Sequence, residues 1–346
     1  MPIGGLHVKL CSVKLPVLLQ NRENALFNLN QLYIQQAESI NPCEPGSTSL
    51  EGLSKLSLFK SIPDNLADKD FSEETEQHVF TTLLSRLDKT VYFLKKETPH
   101  LICWEVFAIS SELEKWLVDC VDASPFDFLR WPEKHLRPPQ LLVFDMDSTF
   151  IQIEVIDELA RQHGVGEKVS IVTEAAMRGE LDFSESLISR VACLEGLAES
   201  TINSIADNLP LSSGVAQLVE QSHIRGVKVA IVSGGFTPFV QRLKNSMELF
   251  EVRANNLEIK NEKLTGKVLG QIVDAQIKAD FVNQLKQKLD ITKDDILTIG
   301  DGANDLLMMN ESGFSLAYRA KPKVQAKAKG RMNIATLDDL CCVFDW

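Results

Sequence analysis

The sequence predicts an α/β fold from residue 141 onward, with a parallel sheet and an inserted helical cap. Apolar runs at 141–144, 227–232 and 296–299 each end in a polar turn, and helical patterns separate them. Strands that alternate with helices form parallel sheets with right-handed crossovers. No good strand pattern lies between the first two runs, which predicts a helical cap at about 155–215. A separate α+β domain is predicted at 1–130.

Residues 1–130 differ from the rest in pattern. Alternating apolar residues predict a strand within 6–19, and helical periods predict helices over 23–38 and 72–96. The proline-containing stretch 40–61 is predicted as mostly loop. Nothing in this region has catalytic spacing, so amino-acid sensing, formation of a homodimer and support of the core all remain open as its role.

Three prolines mark the boundary to the second domain, which is predicted at 138–346: Pro132, Pro138 and Pro139. Within that domain, two alternating segments over 252–268 flank a polar turn and predict a β-hairpin.

Length and charge exclude several classes of protein. The chain has 346 residues, enough for two domains, and its net charge of −12 argues against nucleic acid and anionic membranes as main partners. No run approaches the ~18 apolar residues of a membrane span, and the first residues lack the order of a signal peptide. The 7 cysteines show no metal-type spacing, so we expect reduced thiols. We therefore expect a cytoplasmic protein.

Two carboxylates follow the first apolar run, at Asp145 and Asp147. Residues two apart in extended chain project to the same side, and ligands of open α/β sheets lie beyond the strand C-termini. Adjacent carboxylates repel each other unless a cation or a shared proton offsets their charge. The pair therefore predicts Mg²⁺-assisted chemistry on a phosphate, with one aspartate as nucleophile.

Two further strand ends carry polar residues. Ser233 and Gly234 follow the second run, where a hydroxyl and open amides can hold a phosphate, although a simple tight turn would be favoured if they stood alone. Asp301 follows the third run and would complete a metal site. Asp305, one helical turn later, would orient the metal ligands or cap a helix. Lys278 alone would be an ordinary solvated lysine, but beside this set it would neutralise charge on a transferred phosphoryl group.

Together these elements resemble the haloacid dehalogenase superfamily, whose motifs are a nucleophile strand, a Ser/Thr turn, a lysine and an acidic strand end. More narrowly, the region from Leu141 onward resembles the phosphoserine phosphatase family. The resemblance lies in five strings: 145–154, 177–183, 186–191, 233–236 and 300–305. It implies a Rossmann-like parallel sheet of the haloacid dehalogenase type with a helical cap.

The resemblance also implies roles for cap residues. Glu154 would accept the substrate ammonium and Arg190 would bind its carboxylate as a two-pronged pair. Met177 and Phe183 would form an apolar wall that excludes water. These roles have ordinary structural alternatives. Arg190 could form a surface ion pair, and Met177 and Phe183 could belong to the core of the cap. The implied substrate-binding set is completed by Ser233, Gly234 and Asn304.

The implied mechanism begins with Mg²⁺ bound by Asp145, Asp301 and, through its backbone carbonyl, Asp147. Asp145 would attack phosphorus and form an aspartyl-phosphate. Asp147 would protonate the leaving serine and then deprotonate water, while Lys278 holds phosphate oxygens. These roles imply Mg²⁺-dependent hydrolysis of a small phosphoamino acid, O-phosphoserine, to serine and inorganic phosphate, the last step of serine biosynthesis.

Two alternatives remain. Another enzyme of the superfamily could act on phosphothreonine or transfer phosphate to homoserine, because one methyl or methylene group is worth only ~1–3 kcal/mol in a pocket. A catalytically silent, ligand-sensing protein could keep the same fold. All four motif elements are intact in this chain, which argues against the silent protein.

Overall fold

The computed structural model describes residues 9–13, 55–61, 91–97, 101–107, 127–132, 135 and 137–346. The chain divides into two compact units, Met1–Pro138 together with Lys329–Trp346, and Pro139–Ala328. Within the described part of the chain, no helix is long and apolar enough to cross a membrane.

Five antiparallel strands are described in the N-terminal segment of the first unit. They are β1 (Lys9–Val13), β2 (Lys55–Ser61), β3 (Val91–Glu97), β4 (Leu101–Phe107) and β5 (Asp127–Arg130). They lie in the order β1-β3-β4-β2-β5, each antiparallel to its neighbour.

Two predictions for this unit are corrected, and one is confirmed. β1 confirms a strand within 6–19. The loop predicted over 40–61 is wrong at 55–61, which forms β2, and the helix predicted over 72–96 is wrong from residue 91, where β3 begins. β3 opens with valine, tyrosine and phenylalanine, residue types that suit a strand paired on both sides, as β3 is. The remaining residues of these segments and the predicted helix at 23–38 lie outside the described residues.

The second unit is built on a mostly parallel sheet. Its strands are β6 (Leu141–Phe144), β7 (Lys228–Phe236), β8 (Glu251–Lys260), β9 (Lys263–Leu269), β10 (Ile296–Gly300) and β11 (Phe314–Tyr318). They lie in the order β11-β10-β6-β7-β8-β9. Only the β8–β9 pair is antiparallel, which confirms the predicted hairpin. β6 is central and all of its residues are buried, as its apolar run predicts.

Helices surround this sheet. They are α1 (Val155–His163), α2 (Gly166–Met177), α3 (Phe183–Ala192), α4 (Glu199–Asp207), α5 (Val215–Ile224), α6 (Thr237–Met247), α7 (Ala275–Leu289), α8 (Leu306–Asn310) and α9 (Pro322–Gln325). The first five lie between β6 and β7, and the first four of these fall within 155–215, so the inserted segment is helical as predicted. A reciprocal capping box begins α3, where Asp182 and Glu185 each accept the backbone N–H of the other.

The C-terminal segment returns to the first unit. β12 (Gly330–Met332) pairs antiparallel with β5, and α10 (Asp339–Phe344) follows. The buried carboxylate of Asp127 in β5 accepts three backbone N–H groups, from Asn333, Ile334 and Ala335, at 2.7, 3.0 and 2.8 Å. The sequence assigned this segment to the domain at 138–346, whereas the second compact unit ends at Ala328.

Candidate active site

Three neighbouring strands bring their polar ends together. Asp145 follows β6, Ser233 lies near the end of β7 and Asp301 follows β10, and β6 lies between the other two strands. The N–H of Asp145 donates to the carbonyl of Ile299 at 2.9 Å, which extends the pairing with β10 by one step. Asp145 is therefore held at the centre of the group.

A buried lysine lies between two carboxylates. The Nζ of Lys278, on the first turns of α7, is 2.8 Å from Oδ1 of Asp145 and 2.8 Å from Oδ1 of Asp305. All three residues are at most 5% exposed. The other oxygen of Asp305 accepts the Gly302 N–H at 3.0 Å, and Asp145 accepts the Met146 N–H at 2.7 Å. Hydrogen bonds from the main chain thus fix the carboxylates of Asp145 and Asp305, and these two carboxylates in turn fix the position of Lys278.

Burial and like charge dominate the electrostatics of this group. Burial raises the pKa of Asp145 well above its usual range, and the charge of Asp305 adds to that effect while Lys278 opposes it. Burial would lower the pKa of Lys278, but the two carboxylates outweigh it and the net pKa is raised. Lys278 therefore carries its charge at neutral pH.

The carboxylates of Asp145, Asp301 and Asp305 form a group that fits a divalent cation. One oxygen of each lies within 4.8 Å of the others. Burial, with the charges of Asp305 and Glu154, raises the pKa of Asp301 to about 6. The excess of negative charge and the oxygen donors suit Mg²⁺. The ligands predicted from the sequence are Asp145, Asp301 and the backbone carbonyl of Asp147, rather than Asp305. This ligand set stays a prediction.

Asp147 has different partners from Asp145. One of its carboxylate oxygens accepts the Val155 N–H at 2.9 Å, and the other accepts the Ser233 hydroxyl at 3.2 Å. Burial, followed by the charge of Glu154, raises the pKa of Asp147 to about 7. A carboxyl group with a pKa near neutrality can both donate and accept a proton at physiological pH.

Two glycines near the C-terminal end of β7 lie close against neighbouring side chains. A Cβ on Gly235 would lie 2.6 Å from Oδ2 of Asp147, and one on Gly234 would lie 2.9 Å from Cζ of Phe183. The Gly235 N–H donates to the Ser233 hydroxyl at 2.8 Å. The structure thus brings Phe183, at the start of α3, against the predicted phosphate turn.

Glu154 and Arg190 lie in one electrostatic neighbourhood with Asp147. Glu154 is exposed at the start of α1 and accepts the hydroxyl of Ser148 at 2.7 Å. Arg190 is half-buried; burial lowers its pKa, and the nearby charges of Asp157, Glu154 and Asp147 oppose that shift. A carboxylate and a guanidinium at the cap therefore lie close to Asp147, the candidate proton donor and acceptor.

Neither Met177 nor Asn304 has a described contact with the aspartates or Lys278 of the site. Met177 ends α2 with its side chain 78% exposed, so in this conformation it walls off no buried site. Asn304 is half-buried in the turn after β10, where its side chain lies against Gly302.

Sequence reasoning missed three contacts around the site. Thr149, fully buried, donates its hydroxyl to Asp301 at 3.3 Å. Gly235 belongs to the Ser-Gly-Gly string that the sequence analysis identified, but its close contact with Asp147 was not predicted. Asn255, in β8, bonds the carbonyl of Gly234, and no motif marks it.

Comparisons with known proteins agree with this geometry. The model of the haloacid dehalogenase-like hydrolase family matches residues 139–313. A phosphoserine phosphatase from Vibrio cholerae serotype O1 is 45% identical over 241 residues, covering 69% of this chain and 74% of the relative. The crystal structure of a probable phosphoserine phosphatase from Vibrio cholerae, in unliganded form, has a TM-score of 0.68 at 37% identity and covers 86% of this chain and 88% of that one.

A third similar structure is a phospho-aspartyl intermediate analogue of phosphoserine phosphatase. It has a TM-score of 0.56 at 33% identity, and the match covers 60% of this chain and 99% of that one. The strand-end carboxylates, the buried lysine and these matches lead to one conclusion. The chain belongs to the haloacid dehalogenase-like hydrolases and, within that superfamily, to the phosphoserine phosphatase family.

Proposed function

We propose that the chain hydrolyses O-phosphoserine to serine and inorganic phosphate with the help of Mg²⁺. The observation that carries the proposal is the buried Asp145, 2.8 Å from the Nζ of Lys278 where the strand ends meet. The names of the similar proteins support phosphoserine as the substrate.

Asp145 acts as the nucleophile in this proposal. Its carboxylate forms a bond to phosphorus while the bond from phosphorus to the serine oxygen breaks, which leaves an aspartyl-phosphate. Asp145, Asp301 and Asp147, the last through its backbone carbonyl, would hold a Mg²⁺ ion, whose positive charge would favour the approach of the anionic substrate to a carboxylate. Lys278, Ser233 and the Gly234 amide hold the non-bridging oxygens, and Asn304 is assigned to the same substrate-binding set.

Asp147 moves the proton in both halves of the reaction. Protonated, it donates to the departing serine oxygen; as a carboxylate, it then accepts a proton from the water that attacks the aspartyl-phosphate. Its pKa of about 7, due mainly to burial, is suited to both tasks.

Cap residues select the alcohol. Glu154 pairs with the substrate ammonium and Arg190 with its carboxylate. Both are near Asp147, which supports a binding mode with the amino-acid part of the substrate beside the proton donor. Phe183, against Gly234, excludes water from the reacting phosphate, and Met177 adds to this wall if the cap moves inward on substrate binding.

In this role the chain carries out the last step of serine biosynthesis. Location in the cytoplasm, assembly as a homodimer and the role of residues 1–130 stay predictions.

Phosphate release from a panel of phosphoamino acids tests the proposal. We expect release from O-phosphoserine to exceed that from phosphothreonine and phosphohomoserine, to need Mg²⁺ and to stop on chelation. The matched control is Asp145→Asn, which should be silent. A higher kcat/KM for another phosphoamino acid of the panel would show that O-phosphoserine is not the preferred substrate. Hydrolysis that continues in the presence of a chelator would show that Mg²⁺ is not required.

A further inference from the structure

Asn255 in β8 joins two segments that carry the phosphate-binding groups. Its side chain is 1% exposed, and both ends of its amide are used. The Nδ2 group donates to the carbonyl of Gly234 at 2.8 Å, and Oδ1 accepts the N–H of Val273 at 2.8 Å.

An irregularity in the sheet explains the first of these bonds. Val232 of β7 pairs with Arg253 of β8, but the next pair is Phe236 with Asn255, so β7 accommodates two more residues than β8 at this point. The Ser-Gly-Gly turn lies in that extra length, where regular pairing between the strands is lost. The amide of Asn255 supplies a hydrogen bond to Gly234 in place of the pairing.

The second bond fixes the start of α7. Val273 is 2% exposed and packs in the core of the second unit with Ile277. The next residue, Asp274, caps the helix by accepting the Ile277 N–H at 2.9 Å. Lys278 follows directly in that helix, so the position of Val273 bears on the position of the lysine.

We propose that Asn255 is a positioning residue that holds the Ser233–Gly234 turn and the start of α7 in one register. Through these two segments it sets the turn and Lys278 so that both contact the same phosphoryl group. The proposal rests on the proposed phosphatase function. It concerns only the phosphate part of the site, because neither of these bonds involves Glu154 or Arg190.

The test compares Asn255→Ala and the isosteric Asn255→Asp with Asn256→Ala. Asn256 is the next residue of β8, but it is exposed and its side chain meets only that of Thr237, at 2.8 Å, among the contacts described for it. Steady-state kinetics on O-phosphoserine and p-nitrophenyl phosphate are measured with the Ki of inorganic phosphate. Circular dichroism and thermal unfolding give the folded fraction of each variant.

Both Asn255 variants should lose activity in the same way. Asn255→Asp keeps the acceptor for Val273 but turns an oxygen toward the Gly234 carbonyl, so it should fail at the turn. We expect kcat to fall by about 10²-fold, as for a misplacement of about 1 Å, with similar losses on both esters. The Ki of phosphate should rise about tenfold, whereas Asn256→Ala should stay within about twofold of wild type.

The outcomes separate this proposal from the function on which it rests. No phosphate release by the wild-type protein would overturn the phosphatase function itself. An active wild type with Asn255 variants that lower the unfolding temperature but leave the phosphate Ki unchanged would overturn the positioning role alone. A loss confined to phosphoserine would also overturn it, because the effect would then lie in amino-acid recognition.

Discussion

The strand ends and the cap hold their functional residues in different ways. At the strand ends, Asp145, Lys278 and Asp305 are at most 5% exposed, and the lysine is 2.8 Å from each carboxylate. On the cap, Glu154 is exposed and Met177 is 78% exposed. One half of the site is formed in the core, and the other half lies near the surface.

In the proposed function, this difference separates chemistry from selection. Groups locked by buried hydrogen bonds need no reorganisation when charge develops on a phosphate. Exposed groups at the cap would adjust to the substrate and decide which alcohol fits. Changes at the strand ends should therefore affect every phosphate ester, whereas changes on the cap should affect amino-acid esters selectively.

The largest expected effect comes from the strand ends, in Asp145→Asn. Loss of the nucleophile should lower kcat by about 10⁴-fold or more on O-phosphoserine and p-nitrophenyl phosphate alike. Lys278 keeps its bond to Asp305, so the circular dichroism spectrum should match that of wild type. If the folded variant retained substantial hydrolysis of either ester, Asp145 could not be the nucleophile.

A smaller and selective effect is expected on the cap, from Arg190→Ala. Loss of a two-pronged bond to the substrate carboxylate should lower kcat/KM for O-phosphoserine by about 100-fold, on the order of 3 kcal/mol. The loss on p-nitrophenyl phosphate, which has no carboxylate, should be within about threefold. Equal losses on the two esters would contradict the proposed division between a cap that selects the substrate and strand ends that carry out the reaction.

The proton on Asp147 predicts a pH dependence that differs between substrates. Its pKa is raised to about 7, so the protonated fraction declines as pH rises through that value. Above it, kcat/KM for O-phosphoserine should fall up to about tenfold per pH unit, because the serine oxygen needs a proton in order to leave. p-Nitrophenolate leaves without one, so its profile should stay flatter. Parallel profiles for the two esters would contradict the role of Asp147 as proton donor.

The smallest effect is expected from Met177→Ala. An exposed side chain contributes little to folding, so the free energy of unfolding should change by no more than about 0.5 kcal/mol. If Met177 closes over the substrate, KM for O-phosphoserine should still rise about fivefold. Matched measurements of thermal unfolding and KM check both parts, and an unchanged KM would remove Met177 from the binding site.

Local patterns predicted the strand ends well. The apolar run before Asp145 and the two polar turns that follow similar runs give strand positions and side-chain direction, and neighbouring parallel strands then bring their ends together. The parallel sheet, the hairpin and the helical character of the cap followed from the same patterns.

Contacts between distant residues could not be predicted in this way. The bond from Lys278 to Asp305 joins residues 27 apart, and the bond from Asn255 to Gly234 depends on an interruption in the pairing of β7 with β8. The helix predicted over 72–96 was wrong from residue 91 for a related reason. Its apolar residues fit a helical period, and only pairing with two other strands decides between helix and strand.

Acid-quench mass spectrometry during turnover of O-phosphoserine tests directly whether Asp145 is the nucleophile. We expect one phosphoryl group on the peptide that contains Asp145, assigned to Asp145 by fragmentation and absent from Asp145→Asn. A phosphoryl group on any other residue of the actively turning-over enzyme would show that Asp145 is not the nucleophile.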